Sequence, residues 1–228
     1  MVSDLHTLPK IVPAPNGPLY LINDSTQVVA NIEDANGQPI KAVMKVALCR
    51  CGGSKNKPLC DGTHAALKFS SKNDDTDGSV PPDKRKNYAG KNGITVHDNR
   101  RICSHSAECL RNLESVFRLD ELPWINPDGG EVPKIIETVR KCPSGALSYS
   151  IDGVEYRDDK TRAPKVIVSK NGPYHVTDGI ELAGVENWAE GASKEHYALC
   201  RCGASKNKPF CDGMHLRIKF TDSLKIDE

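Results

Sequence analysis

The sequence predicts an α+β protein, with two small β-rich units flanking a central unit of mixed helix and strand. Three observations predict this class. A Cys/His motif occurs twice, at 49–64 and 200–215, each time behind matching short strand patterns. Polar stretches rich in proline and charge separate both copies from a middle segment. That segment holds the other three of the nine cysteines and has helical and strand periodicities of its own.

In chain order, 1–10 reads as a loose tail. Apolar runs at 11–12 and 19–22, either side of Gly17-Pro18, read as strands, and 28–32 continues them up to the turn Asn36-Gly37. A strand at 43–48 delivers Cys49, and 67–69 closes the unit. The second copy has matching landmarks at 166–168, Asn171-Gly172-Pro173, 174–176, 197–199 before Cys200, and 218–220. The repeat thus includes strands as well as the cysteine loop. Between the copies, strands at 94–96 and 147–151 accompany helices at 107–116 and 133–141, the latter with Ile135, Ile136 and Val139 at helical spacing. The resulting division is a first Cys/His unit at 1–70, a linker at 71–87, the central unit at 88–151, a linker at 152–164 and a second Cys/His unit at 165–228.

Composition sets limits on function. In 228 residues, hydrophobic content is 38% and aromatic content 5%, so no large core is expected, and metal ligation replaces part of the missing burial. A formal net charge of +1 argues against general affinity for nucleic acid or an anionic membrane. Segment 1–10 lacks the basic and apolar regions of a signal peptide, and no stretch approaches the ~20 apolar residues of a membrane span, so a soluble, cytoplasmic protein is expected. No Ser-His-Asp set, glycine-rich phosphate loop or paired carboxylate pattern is present, and no enzymatic activity of its own is expected.

Both copies of the motif read C-x-C-x8-C-x3-H: Cys49, Cys51, Cys60 and His64, then Cys200, Cys202, Cys211 and His215. Three thiols and an imidazole are a full ligand set for one metal centre. In extended backbone Cys49 and Cys51 point the same way, while the glycines, Asn56 and Pro58 turn the loop so that Cys60 returns beside them. Asp61 is a good N-cap for a helix over 62–67 with His64 on its first turn, and the free N–H groups of that helix start favour a negatively charged cluster. By ligand type alone the set suits zinc as well as an iron–sulfur cluster. A disulfide framework is disfavoured, since each motif holds an odd number of cysteines. Arg50 and Arg201 alternate away from the metal. Lys55, Lys57, Lys206 and Lys208 read as solvated loop charges, with a docking patch for an acidic redox partner as the alternative. His6, His97, His175 and His196 have no ligand-spaced partner and read as ordinary histidines.

These residues resemble the CDGSH iron–sulfur family, the mitoNEET-like proteins. Cys60-Asp61-Gly62-Thr63-His64 and Cys211-Asp212-Gly213-Met214-His215 carry the signature, with the upstream Cys-x-Cys, Ser54/Ser205 and Pro58/Pro209 also in place. The resemblance implies a [2Fe-2S] cluster on each set of three cysteines and a histidine, and tips the balance from zinc to iron–sulfur. Members with one motif resemble two-fold dimers with exchanged strands. Two motifs in one chain are therefore expected to form an internal pseudo-dimer under a shared β cap, in a monomer with pseudo-two-fold symmetry. Thr63 and Met214 depart from the name-giving serine, and at Met214 any hydrogen bond from that position to the cluster is lost.

The central cysteines are Cys103, Cys109 and Cys142, the last followed by Pro143. Bacterial ferredoxins hold a four-iron cluster with C-x2-C-x2-C and a distant Cys-Pro. Here those first three positions fall on Cys103, Ser106 and Cys109, so a serine replaces the middle thiolate. Three thiolates fit a [3Fe-4S] cluster. The alternatives are a [4Fe-4S] cluster with His105 as fourth ligand, or three free buried cysteines. Pro123-Trp124-Ile125 and Cys142-Pro143-Ser144-Gly145-Ala146-Leu147 resemble single-cluster ferredoxins of the three-iron type and a divergent ferredoxin domain found beside CDGSH motifs. That resemblance implies a ferredoxin-like α+β domain.

A neutral imidazole in place of a thiolate removes one negative charge from a cluster and makes it easier to reduce. Two such replacements lift Rieske centres to about −150 to +300 mV from about −400 mV in plant-type ferredoxins, and one replacement shifts the same way by less. The expected function is electron transfer with a redox partner protein. The alternatives are transfer or storage of clusters or iron, with an apo-acceptor as partner, and sensing of redox state and pH. Neither nucleic acid nor membrane is expected as a partner.

Overall fold

The computed structural model describes residues 9–23, 31–40, 45–74, 81–158 and 162–221. Alternating apolar residues build the first half. β1 (Lys10–Pro13) and β2 (Leu19–Ile22) form a hairpin that buries Ile11, Leu19 and Leu21. β3 (Asn31–Asp34) and β4 (Pro39–Ile40) meet across the turn at Asn36-Gly37, where Gly37 takes φ 78°. β5 (Lys45–Leu48) pairs with β2 and ends at Cys49, and α1 (Thr63–Ala66) follows the loop. The starts of the strands expected from 28 and 43, and most of the tail with His6, lie outside the described residues.

The central unit is an antiparallel sheet of β6 (Lys86–Ala89), β7 (Ile94–Asp98), β8 (Leu147–Ile151) and β9 (Val154–Tyr156), in that order. Its helices are α2 (Glu108–Asn112) and α3 (Val132–Arg140), and α3 buries Ile135, Thr138 and Val139. The helix expected over 107–116 is shorter because Leu113 leaves helical geometry, at φ −156°. β9 lies in the stretch read as the second linker. Asp152 and Gly153 take φ 51° and 78°, a two-residue hairpin turn that brings Val154 opposite Ile151. Tyr156 then stacks on Tyr149 at 5.2 Å.

The second half repeats the first with β10 (Lys165–Val168), β11 (Tyr174–Thr177), β12 (Glu181–Leu182), β13 (Tyr197–Leu199) and α4 (Met214–Arg217). The halves exchange strands. One sheet runs β12-β1-β2-β5 and the other β13-β11-β10-β3-β4. β12 pairs in parallel with β1, with Ile11 opposite Leu182, and β3 pairs in parallel with β10, with Ile32 opposite Val166. One core therefore draws Ile11, Leu21 and Ile32 together with Val166, Tyr174 and Tyr197. This is the internal pseudo-dimer that the family resemblance implies for two motifs in one chain. The central unit has its own core around Ile94, Phe117, Ile125 and Leu147.

The central unit attaches to the second half through the segment between β12 and β13. Glu190 N donates to Asp83 Oδ1 (2.9 Å), and Glu190 O accepts from Asn99 Nδ2 (2.9 Å). Gly145, at φ 66°, approaches the His196 carbonyl so closely that a Cβ would stand 2.9 Å from it. Among the described residues no helix is long and apolar enough to cross a membrane.

Candidate metal centres

Each Cys/His loop is folded back by its own backbone. Cys49 N donates to Pro58 O and Cys60 N to Ala47 O, both at 2.8 Å. Ser54 Oγ donates to Leu59 O (2.6 Å) and accepts from Asn56 N (3.0 Å), stapling the loop. The second copy repeats these bonds through Cys200, Cys211 and Ser205. The helix expected over 62–67 is a single turn, and its N-cap is Gly62 at φ 88° rather than Asp61. Asp61 Oδ1 accepts from Thr63 N (3.0 Å), and Oδ2 accepts from Lys55 N (2.8 Å).

The loops bring the ligand atoms together in pairs. Cys49 and Cys51 Sγ stand 3.7 Å apart, and Cys200 and Cys202 Sγ stand 3.8 Å apart. Cys60 Sγ lies 3.3 Å from His64 Nδ1, and Cys211 Sγ lies 3.5 Å from His215 Nδ1. Two ligands on one tetrahedral metal, with bonds of about 2.3 Å to sulfur and about 2.0 Å to nitrogen, lie about 3.8 Å apart for two sulfurs and about 3.5 Å apart for sulfur and nitrogen. Each pair therefore spans one edge of a metal's coordination shell. Among the described residues, the one group of three His, Cys, Asp or Glu ligand atoms within 4.8 Å of one another is Asp158, Glu195 and His196. In that group His196 Nδ1 is already bonded to Glu195 Oε2 (2.6 Å) and Ser193 Oγ (3.0 Å). All nine cysteines are free.

In the central unit Cys103, Cys109 and Cys142 line one cavity together with Ser106, Arg100 and Trp124. His105 is not part of its wall. At φ 55° its ring turns outward and packs on Gly213 of the second Cys/His loop, where a Cβ would come within 2.3 Å of the ring's Cδ2. A residue that sequence reasoning missed does line the cavity. Asp98 is 1% exposed and lines the cavity beside Arg100 and Trp124. Burial pushes its pKa up to about 6, opposed by the charge of Arg100. The signal was present in β7, where Ile94, Val96 and Asp98 alternate onto the core face.

The sequence matches the family described as iron-binding zinc finger of CDGSH type over residues 16–65 and 171–216, and the family described as divergent 4Fe-4S mono-cluster over 88–152. The chain belongs to the CDGSH iron-binding family. It is a tandem CDGSH protein with a divergent single-cluster unit between its motifs, and it is an iron–sulfur protein. Among curated relatives, the uncharacterized protein YjdI of Escherichia coli strain K12 is 42% identical over 62 residues, which cover 27% of this chain and 80% of the relative. YjdI of Escherichia coli O157:H7 matches to the same extent.

Burial dominates the electrostatics of several ligand thiols of the CDGSH protein. Burial pushes the Cys103 thiol up to about 12 and the Cys109 thiol up to about 11, and burial holds Cys211 well above the usual thiol range. Such thiols stay protonated until a metal ion replaces the proton. Two buried arginines add charge that the sequence did not reveal. Arg50 donates from Nε to Gly17 O, and Arg201 from Nε to Gly172 O, both at 2.7 Å, so each turns away from its own ligands as alternation requires. Burial holds the guanidinium of each below the usual arginine range. Two of the four loop lysines are not free solvated charges. Lys57 Nζ donates to Ser54 O (2.7 Å), and Lys208 Nζ donates to Ser205 O.

The residues beside the two ligand histidines differ between the motifs, Thr63 in the first and Met214 in the second. Hydrogen bonds, that of the Thr63 side chain foremost, hold the Asp61 carboxyl well below the usual carboxylate range. Asp212 accepts the same two backbone bonds, from Met214 N (3.0 Å) and Lys206 N (2.8 Å), but Met214 has no hydroxyl to add to them. His175, read as ordinary, stands near His215 with Nε2 buried and unpartnered. Burial, and then the charge of His215, push its pKa down to about 4.

Proposed function

We propose that the chain is an electron-transfer protein with two [2Fe-2S] clusters and one [3Fe-4S] cluster. Cys49, Cys51, Cys60 and His64 hold the first, Cys200, Cys202, Cys211 and His215 the second, and Cys103, Cys109 and Cys142 the three-iron centre. Ligand spacing is the observation that carries this reading. Each motif offers two pairs at edge distance, yet no three of its ligand atoms lie within 4.8 Å of one another. One zinc ion would draw all four onto a single tetrahedron with edges of about 3.8 Å. Two irons bridged by sulfide require two separate pairs. In the central cavity a serine stands where the four-iron pattern has its middle thiolate, and His105 faces away, which supports three irons over four.

Storage does not require a ferredoxin-type unit beside two CDGSH centres, so electron transfer is the better account. The partner on this reading is a redox protein, and the chain acts as a cytoplasmic monomer without an enzymatic reaction of its own. A second reading, delivery of a cluster or iron to an apo-acceptor, draws on the half-exposed Cys60 and His64. Faster loss of iron to an apo-acceptor than exchange of electrons would put it first.

Iron, zinc and sulfide analysis of anaerobically purified protein, with EPR spectra in both redox states, tests the assignment. Acid-labile sulfide and a signal in the oxidised state from the central unit alone are expected, because an odd number of ferric ions leaves an unpaired spin while oxidised [2Fe-2S] centres are silent. Ser106→Cys supplies a fourth thiolate and removes that signal. Stoichiometric zinc without sulfide refutes the cluster reading. An oxidised state that is silent and holds four irons in the central unit refutes the three-iron assignment.

A further inference from the structure

We propose that the three ligand sets stand in single file, in the order central, second, first, with His105 as the positioning residue at the joint between the central and second sets. The inference rests on the electron-transfer reading and gives it an order.

Two contacts mark the joint between the central and second sets. Asn207 Nδ2, inside the second CDGSH loop, donates to Arg101 O (3.1 Å), two residues before Cys103. His105, two residues after Cys103, lays its ring on Gly213, at φ 85°. Gly213 itself lies two residues from Cys211 and two from His215, so this contact joins residues close in the chain to both ligand sets. A side chain on Gly213 would close the gap, with its Cβ 2.3 Å from the ring.

The joint between the second and first sets is made of backbone. Gly52 follows Cys51 at φ 76°, and a Cβ there would stand 2.4 Å from Cys202 O. Gly203 follows Cys202 at φ 84°, and a Cβ there would stand 2.6 Å from Cys51 O. The two CDGSH loops thus touch across the pseudo-two-fold at residues next to ligands.

The file ends at the first motif. The mirror position of Gly213 is Gly62, and nothing lies within 4 Å of a Cβ placed on it. Cys60 and His64 are half-exposed, whereas Cys211 and His215 are 3% and 7% exposed. Electron tunnelling weakens steeply with distance, so contact at both joints favours passage through the second set. The open side of the first motif is then the face for the redox partner.

Dipolar coupling measured by EPR relaxation tests the order in the cluster-loaded full chain. Radiolytic reduction at 77 K traps single electrons on individual centres, so the measurement does not depend on reversible redox chemistry. The expected result is that the oxidised central centre speeds the relaxation of the second centre more than that of the first. Equal enhancement, or stronger enhancement at the first, overturns the order. His105→Ala and the more conservative His105→Gln are read by redox titration with EPR. The expected result is a shifted midpoint potential and g values at the second centre, more with Ala than with Gln, with the first unchanged. A shift at both CDGSH centres, or at neither, removes His105 from the joint. Failure of the electron-transfer reading shows itself differently, as centres that couple in the stated order but cannot be reversibly reduced in solution.

Discussion

The two CDGSH motifs share ligands, spacing and loop hydrogen bonds, and differ in what covers them. In the first motif Cys60 and His64 are half-exposed, Asp61 is exposed, and a Cβ on Gly62 would meet nothing within 4 Å. In the second, His105 covers Gly213, Asn207 is buried against Arg101, and Cys211 and His215 are nearly inaccessible. The difference arises from the segment between β12 and β13, residues 183–196, which holds the central unit. Duplication of a ligand set thus yields chemically equal sites, and one asymmetric insertion makes them physically unequal.

The largest expected effect uses the histidines. His64→Cys and His215→Cys each replace a neutral ligand by a thiolate, which stabilises the oxidised cluster. The Rieske comparison sets the scale at on the order of 100 mV downward for each centre. Charge acts more strongly where water is excluded, so the buried second centre falls further than the half-exposed first. Redox titration monitored by EPR reads both shifts. Equal shifts would mean that coverage by His105 does not change the dielectric around the second centre.

A smaller effect comes from the paired glycines. Gly62 and Gly213 take φ 88° and 85°, so alanine at either is strained by roughly 1–2 kcal/mol. At Gly62 that strain is the whole cost, because the space is open. At Gly213 the new methyl also displaces the His105 ring. Gly213→Ala is therefore expected to destabilise the loaded protein more than Gly62→Ala in chemical denaturation, and to loosen the contact with the central unit. Identical losses would break the comparison.

Repetition was what made the fold legible. The family resemblance of both motifs implied the pseudo-dimer, and local alternation with the Asn16-Gly17 and Asn171-Gly172 turns fixes the hairpins that build it. Short pairing strands without an apolar run were harder to see, as with β12 and its two residues. β9 was announced by Asp152-Gly153 but masked by the charged composition around it. At the sites, spacing located the ligands and could not tell which way His105 would face. That orientation depends on contact with Gly213, more than a hundred residues away in the chain. The buried Arg50 and Arg201 were hidden for a similar reason, since their partners are carbonyls of distant turns.

The smallest expected effect tests whether the halves depend on each other in both directions. Tyr174, in β11, is fully buried, and its hydroxyl donates to Cys49 O (2.7 Å) and to Pro58 O (3.1 Å) in the first motif. Burial holds its phenol well above the usual range, so it remains a donor at any working pH. The mirror residue is Leu19, which has no hydroxyl to offer the second motif. In Tyr174→Phe, Pro58 O keeps its bond from Cys49 N, while Cys49 O loses the tyrosine donor. The expected cost is roughly 1 kcal/mol of stability. Its effect on iron retention falls on the first centre, although the substitution lies in the second half. Iron release to a chelator, followed by EPR of each centre, reads this directly, with the first centre emptying faster than in the unmodified chain and the second unchanged. If the second centre empties instead, Tyr174 supports its own half, and the asymmetric support across the pseudo-two-fold is lost.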